Sequence, residues 1–258
     1  MHNYLARELP VSSLPSIPRF YCPGDLSQGA TRDLPDAAAH HAARVLRLKQ
    51  GDPVIVFNGE GGESNAQVHA ITRQRVSLRI GQWQAREAEA PVAVTLVQGL
   101  SARERMEFTI QKAIELGAAQ IFPVETRRSV MRLAHERAER RVEHWQNLVI
   151  SACEQCGRNR VPAVHPVSSL PDWLGAHPPE EGEPRLILAA AARTSLRDLP
   201  APQRLVLVAG PEGGFAPEEM EMTAACGFTA IRLGPRVLRT ETAALAALAA
   251  IHALWGDF

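Results

Sequence analysis

Two short loops near the C-terminus carry the residue types best suited to holding a ligand. The first is Gly210-Pro211-Glu212-Gly213-Gly214, and the second is Gly234-Pro235-Arg236-Val237-Leu238-Arg239. Gly213 and Gly214 lack a Cβ, so a ligand can approach the main-chain N–H groups closely. Pro217, Glu218 and Glu219 follow and read as the first turn of a helix, where N–H groups are unpaired and carboxylates complement the positive end. Such a loop suits a compact ligand held by backbone donors, and Leu233, Val237 and Leu238 would add apolar walls. The competing reading is that the glycines only turn the chain and Leu238 only packs.

Other chemistries find less support. Cys153 and Cys156 have redox spacing but close a helix rather than open one, so the thiols gain nothing from the positive helix end, and no second pair completes a zinc site. Cys156 reads as a small core residue. His40 and His41 are adjacent on a helical stretch, so they do not share a face as a metal pair would. No P-loop and no G-x-S-x-G elbow occurs, and Gln98-Gly99-Leu100-Ser101 follows the Val92–Val97 run where a dinucleotide fold would place G-x-G-x-x-G. No metal is expected.

The two loops must be positioned by what surrounds them. Leu205–Ala209 is an apolar run of strand length, Thr229–Leu233 is a second, and the alanine-rich segment from Thr240 to Trp255 is a helix. Gly227 ends the helix between them. Upstream, Val92–Val97, Ala119–Val124 and Leu186–Ala190 read as strands. Arg103–Leu116, closed by Gly117, and Ala138–Cys156 read as amphipathic helices. Strand and helix alternate, so an α/β domain with a mostly parallel sheet and covering helices is expected. Two glycine loops beyond strand ends then fall where ligands sit in open α/β sheets.

Residues before this region read differently. Asp36–Leu48 is helical, and the short runs Pro53–Phe57, Ala66–Ile71 and Arg75–Ile80 are joined by tight turns at Asn58–Gly62 and at Arg73-Gln74, which suggests a small barrel or curled sheet. Ala85–Pro91 reads as a linker. The chain of 258 residues, 45% hydrophobic, can fill its cores without staples. No apolar run is long enough for a membrane span, the first sixteen residues lack a signal-peptide layout, and four cysteines show no disulfide framework, so a cytoplasmic protein is expected. Net charge is zero, which argues against nucleic-acid binding through bulk field alone. Yet residues 101–160 carry a basic excess, and Lys49 and Lys112 are the two lysines of the chain. Arginine presents forked donors that match phosphate; a codon preference for arginine would give the same composition.

GPEGGF (210–215) followed by LGPRVLRTETA (233–243) resembles the paired cofactor-loop motifs of the RsmE-type ribosomal RNA uridine N3-methyltransferases, members of the SPOUT superfamily of trefoil-knotted enzymes. ArgPhe at 19–20, HHAARVLRLKQGD at 40–52, QKAIELGAAQIFPVET at 111–126 and SACEQCGRNRVP at 151–162 extend the resemblance over most of the chain. It implies a PUA-like RNA-binding barrel over 1–88 and a knotted SPOUT methyltransferase domain over 89–258. It also implies S-adenosyl-L-methionine as cofactor, held by Leu188, Gly210, Glu212, Gly213, Gly214, Leu233, Gly234, Val237, Leu238, Thr240 and Ala243. The chain departs from the family pattern at Ala191-Ala192-Arg193, where an acidic or histidine-containing segment is usual.

The implied reaction is methylation of N3 of one uridine in 16S ribosomal RNA, free or in the small subunit. That nitrogen carries a proton, so the site must remove it or stabilise the anion that forms. Glu241 suits the first task and Arg239 the second; alternatively the two pair with each other and only fix the loop. Glu212 is a further candidate. Arg19, Arg44 and Arg47 are the expected RNA contacts of the first domain, the latter two on one helix face. The Thr240–Trp255 helix is apolar nearly all round, so a partner subunit covering one side is expected, giving a homodimer. Two alternatives stand beside this reading: a non-catalytic RNA-binding module of ribosome assembly, and a knotted methyltransferase acting on another RNA position or on transfer RNA.

Overall fold

The structure, a computed structural model, describes residues 17–73, 75–132 and 135–258. The signal-peptide reading of the first sixteen residues and the Gln74 half of the expected turn lie outside the described residues. The chain divides into two compact units, one formed by residues up to Phe57 with Glu63–Gln84 and the other by Asn58–Gly62 with Ala85–Phe258.

The first unit holds strands β1 (Arg19–Tyr21), β2 (Thr31–Asp33), β3 (Pro53–Phe57), β4 (Glu63–Ile71) and β5 (Val76–Gln84), ordered β1-β3-β4-β5-β2. Alternate residues Val54 and Val56, Ala66 and Val68, and Val76, Leu78 and Ile80 point inward with Phe20 to make its core. Two register shifts between β4 and β5 bend the sheet over that core. The helix expected over Asp36–Leu48 is shorter: α1 (Asp36–His40) runs into one π-helical turn over His41–Val45. Arg47 then takes φ 54°, a left-handed conformation that costs a side-chain-bearing residue strain. Arg44 and Arg47 are therefore not neighbours on one α-helical face.

The second unit holds β6 (Ala93–Gly99), α2 (Arg103–Glu115), β7 (Ala118–Glu125), α3 (His135–Cys156), β8 (Ala163–Val164), β9 (Ser168–Ser169), α4 (Leu170–Ala176), β10 (Arg185–Leu188), β11 (Arg204–Ala209), α5 (Pro217–Ala225), β12 (Phe228–Ile231) and α6 (Thr240–Trp255). The strand order is β12-β10-β11-β6-β7-β8, with β9 also on β7, and every pairing is parallel. Parallel sheets need both faces covered, and the register shows how. Ile187, Val208, Val97 and Phe122 align across four strands and belong to a core with Leu170, Trp173 and Leu174 of α4. The neighbouring row, Leu186, Leu207, Leu96 and Ile121, points to the opposite face by strand alternation. Met106, Ile110 and Ile114 of α2, Trp145 and Val149 of α3, and Ala247, Leu248 and Ile251 of α6 are likewise fully buried.

Helix ends follow from local chemistry. Gly117 (φ 84°) and Gly227 (φ 81°) take the left-handed conformation that closes α2 and α5. Pro217 opens α5, and Glu219 accepts hydrogen bonds from the N–H groups of Ala216 and Arg127 (2.8 Å each), satisfying a free helix-end donor. The strand at Leu186–Ala190 stops at Leu188, and α4 and the short strands β1, β2, β8 and β9 go unsignalled in the sequence because each is too brief for a period to register.

Candidate functional site

Strands β12, β10, β11 and β6 lie side by side, so the segments leaving their C-terminal ends converge. From β6 the chain steps outward through β7 and β8, then returns to lay β11 against its other side. The point where strand order reverses is where open α/β sheets form a crevice. A cavity of about 840 Å³ lies there, within the range of sites for cofactor-sized ligands, about 300–1,000 Å³.

Its wall comes from four segments. Leu188 to Ala191 follow β10; Gly210, Pro211, Glu212, Gly214 and Phe215 follow β11; Ile231 to Gly234 and Arg236 to Arg239 follow β12; Thr240 and Ala243 open α6. Arg105, Arg128 and Met220 complete it. Among the residues expected at the site, Leu188, Gly210, Glu212, Gly214, Leu233, Gly234, Val237, Leu238, Arg239, Thr240 and Ala243 are thus brought together on one wall. Gly213 and Glu241 are not on it. Gly213 turns toward Arg128: a Cβ there would stand 2.9 Å from Arg128 Cβ, and its carbonyl accepts from Arg128 Nη1 at 3.1 Å. Gly214 (φ 65°) and Gly234 (φ 83°) have open space where a Cβ would stand, so their role is conformational rather than one of clearance from protein atoms.

The two loops are tied together beneath the cavity. Thr240 Oγ1 donates to the Gly210 carbonyl, and Gln98 Nε2 reaches the Gly99 carbonyl (3.1 Å), the Gly210 carbonyl (3.4 Å) and Thr240 Oγ1 (3.4 Å). Gln98 and Thr240 are both buried, so these bonds are shielded from water. Gly99 is required for the same approach: a Cβ there would lie 2.6 Å from Pro211 Cδ.

Glu212 is the carboxylate on the wall. Its Oε1 accepts from the Ala102 N–H (2.8 Å) and from Arg105 Nη1 (3.2 Å), while its Oε2 is buried without a hydrogen-bond partner among the described residues. Glu241 shares the same arginine, with Oε2 3.9 Å from Arg105 Nε. The expected alternative pairing of Glu241 with Arg239 is replaced by this one, because Arg239 precedes α6 and turns to the exposed rim of the cavity. Five arginines, 105, 128, 232, 236 and 239, face the cavity against one carboxylate, so a neutral chain has a cationic mouth. Arg105, Arg128 and Gln98 were not foreseen. The usable signal was position: Gln98 ends a strand beside the loop strands, and Arg105 opens the helix that follows it.

In the first unit, Arg19 pairs with Glu63 and lies over the Phe57 ring at 5.3 Å, so its guanidinium is already engaged within that unit. Arg44 and Arg47 are exposed. Elsewhere, burial pushes the Cys153 thiol up to about 12, leaving it protonated and a poor nucleophile or ligand. Among the described residues no group of three or more His, Cys, Asp or Glu side chains is arranged to hold a metal ion, and no helix is long and apolar enough to cross a membrane.

An all-parallel sheet with paired glycine loops at its switch point, in a chain that also holds a separate small sheet unit, defines a two-part α/β protein of the RNA methyltransferase class: residues 88–252 match the family model of the RNA methyltransferase domain and residues 34–81 that of the RNA methyltransferase PUA domain. The chain belongs to the ribosomal RNA small subunit methyltransferase E family. It is 33% identical to that protein of Buchnera aphidicola (Schizaphis graminum) over 93% of this chain and 98% of the relative. Against the Bacillus subtilis protein it is 32% identical over 88% and 91%. The Neisseria gonorrhoeae ribosomal RNA small subunit methyltransferase E, solved bound to S-adenosyl methionine, superposes with a TM-score of 0.87 at 40% identity, covering 94% of this chain and 99% of that one. A Legionella pneumophila methyltransferase solved with the same cofactor gives a TM-score of 0.89 at 38% identity, with the same coverage.

Proposed function

We propose that the chain is an S-adenosylmethionine-dependent methyltransferase of small-subunit ribosomal RNA, and that it methylates N3 of a uridine. The observation that carries the reading is a cavity of cofactor size where strand order reverses, walled by both glycine loops and by Glu212, which is anchored through Oε1. The main-chain groups of Gly210, Gly214 and Gly234 and the apolar side chains of Leu188, Leu233 and Leu238 fit a ligand with a polar edge and an apolar body.

When bound, S-adenosylmethionine supplies an electrophilic methyl group. The chain's own residues do the rest. Arg239, on the cavity rim, is suited to stabilise the negative charge that spreads over the uracil carbonyl oxygens as N3 loses its proton. Of the two carboxylates that share Arg105, Glu212 lines the cavity and is suited to take that proton, with Glu241 the second candidate. Arg19, Arg44 and Arg47 are proposed to contact RNA from a PUA-like domain spanning 1–88, the methyltransferase domain spanning 89–258.

Two structural features belong to the same proposal. A trefoil knot is supported by β11 lying between β10 and β6, with α6 returning after β12 to pack on β11 and α2. A homodimer is supported by the apolar outer side of α6, where Leu254 is exposed. A cytoplasmic location follows from a ribosomal substrate.

The test is calorimetry with S-adenosylmethionine, followed by transfer of labelled methyl to small ribosomal subunits from cells lacking the protein and digestion of the RNA to nucleosides. Micromolar binding and label in 3-methyluridine are expected. Label in another nucleoside overturns the N3 assignment, and no cofactor binding with or without subunits overturns the enzyme.

A further inference from the structure

Val237 is 85% exposed, the highest value for any large hydrophobic side chain among the described residues. It sits at the tip of the loop that begins at Gly234, whose φ of 83° sets the turn, and it is flanked by the exposed Arg236 and Arg239. Neither arginine has an ion-pair partner within 4.0 Å among the described residues. The segment from Arg232 to Arg239 contains three arginines and no carboxylate. Leu238, next along the chain, is half-buried; Val237 borders the same cavity but leaves most of its side chain in solvent.

We infer that this loop is an RNA contact in its own right. Arg236 pairs with a phosphate beside the target nucleotide, and Val237 enters the base stack where the target base has left it. The inference rests on the reading of the site as one that modifies the pairing edge of a base. N3 of uracil is on that edge, so the base must leave any pair or stack before it reaches the cavity. The gap then invites an apolar side chain, and proteins that unstack nucleic acid commonly insert one. Val237 has the required properties: branched, apolar, held on a Gly-Pro stalk and surrounded by cations that match phosphate. The charges also decide between occupants. A second copy of the same loop would set guanidiniums against guanidiniums, whereas RNA brings phosphates.

The test uses the full chain and small ribosomal subunits from cells lacking the protein, with labelled S-adenosylmethionine. Val237→Gly lowers kcat/KM for subunits about tenfold, in line with the loss of one partly buried apolar side chain. Cofactor Kd stays within about twofold, and Val237→Leu restores most of the rate by restoring bulk. Arg236→Gln reduces the slope of log(kcat/KM) against log salt by about one unit. Unchanged kcat/KM in Val237→Gly overturns the wedge. Cofactor affinity falling in step with the rate makes Val237 a cofactor wall instead. A lower mass in light scattering makes it a contact between copies. Should the wild-type chain transfer no methyl to subunits, the functional reading fails and the loop assignment falls with it; should it transfer methyl while both variants match it, only the loop assignment falls.

Discussion

The guanidinium of Arg105 stands between Glu212 and Glu241, 3.2 Å from the first through Nη1 and 3.9 Å from the second through Nε. One residue of α2 thereby ties the loop after β11 to the first turn of α6. Each carboxylate keeps a buried oxygen without a hydrogen-bond partner among the described residues, so removing Arg105 leaves two negative groups together with less to hold them. Arg105→Gln is expected to weaken S-adenosylmethionine binding about tenfold, roughly 1.4 kcal/mol. Arg105→Lys recovers part of that, because it restores the charge and not the fork. The Arg105 side chain is 41% exposed, so its stability contribution is small, below about 1 kcal/mol. A fall in melting temperature matching the loss of affinity would show that Arg105 serves the fold and not the site.

Gly213 and Gly99 should both fail as alanine, for a shared reason. A Cβ on Gly213 meets Arg128 Cβ at 2.9 Å, and a Cβ on Gly99 meets the Pro211 backbone nitrogen at 2.7 Å. Either contact pushes the first glycine loop out of register with the second. Gly213→Val, with its larger branch, is expected to lower cofactor affinity at least about tenfold; an unchanged affinity in a folded variant would remove this loop from the cofactor site. Overpacking of this kind typically costs about 1–3 kcal/mol, which denaturant melts can register alongside calorimetry.

The sequence reading succeeds where a period is long enough to register. Apolar runs of strand length mark β6, β7, β10, β11 and β12 to within a few residues, and the glycines at 117 and 227 mark two helix ends. The site was legible as two loops because glycine and proline carry conformational meaning by themselves. It was not legible as a set of contacts. Gln98 and Arg105 reach the loops only through the parallel register of β6 with β11, which no local pattern encodes. Gly213 illustrates the opposite limit: its lack of a side chain was visible, but not that the clearance is needed for Arg128. The π-helical turn at His41–Val45 and the strained Arg47 were hidden because the residues involved are ordinary helix formers.

Stability should fall on mild acidification, and His252 is the main reason. It is 1% exposed, and burial holds its imidazole below the ordinary value of 6.5, with Asp257 opposing the shift and Arg158 reinforcing it. Burial and the nearby His177 depress His165 in the same direction. In the unfolded chain these groups take up protons at a higher pH than in the native state, so the unfolded state binds more protons through that window. The native state therefore has full stability above about pH 6.5 and loses it progressively as pH drops toward the folded pKa values. Urea melts at pH 7.5 and 5.5 should show the loss, and His252→Gln should shrink it. An equal pH dependence in that variant would assign the effect to other groups.

Catalysis and loop architecture separate at Arg239, Glu212 and Glu241. Arg239 lies on the rim without an ion-pair partner within 4.0 Å among the described residues, so Arg239→Ala disturbs little of the fold. If it stabilises the uracil anion, kcat falls about 100- to 1,000-fold, the usual cost of one preorganised donor, while cofactor Kd stays near its wild-type value. The carboxylates are distinguished by pH. Replacing the proton acceptor by glutamine keeps the shape and removes the base, and raising the pH then restores part of the rate as the uridine N3 ionises unaided. We expect that rescue in Glu212→Gln, because Glu212 lines the cavity and Glu241 does not. Glu241→Gln should instead behave like Arg105→Gln, with weaker cofactor binding, and the double variant Arg105→Gln with Glu241→Gln should be little worse than either single change, since the two residues form one contact. Single-turnover rates at saturating cofactor, over pH 6.5 to 9, decide the case. Rescue in Glu241→Gln alone would move the proton acceptor to α6, and a normal rate in Arg239→Ala would leave anion stabilisation to Arg105 or Arg128 on the same wall.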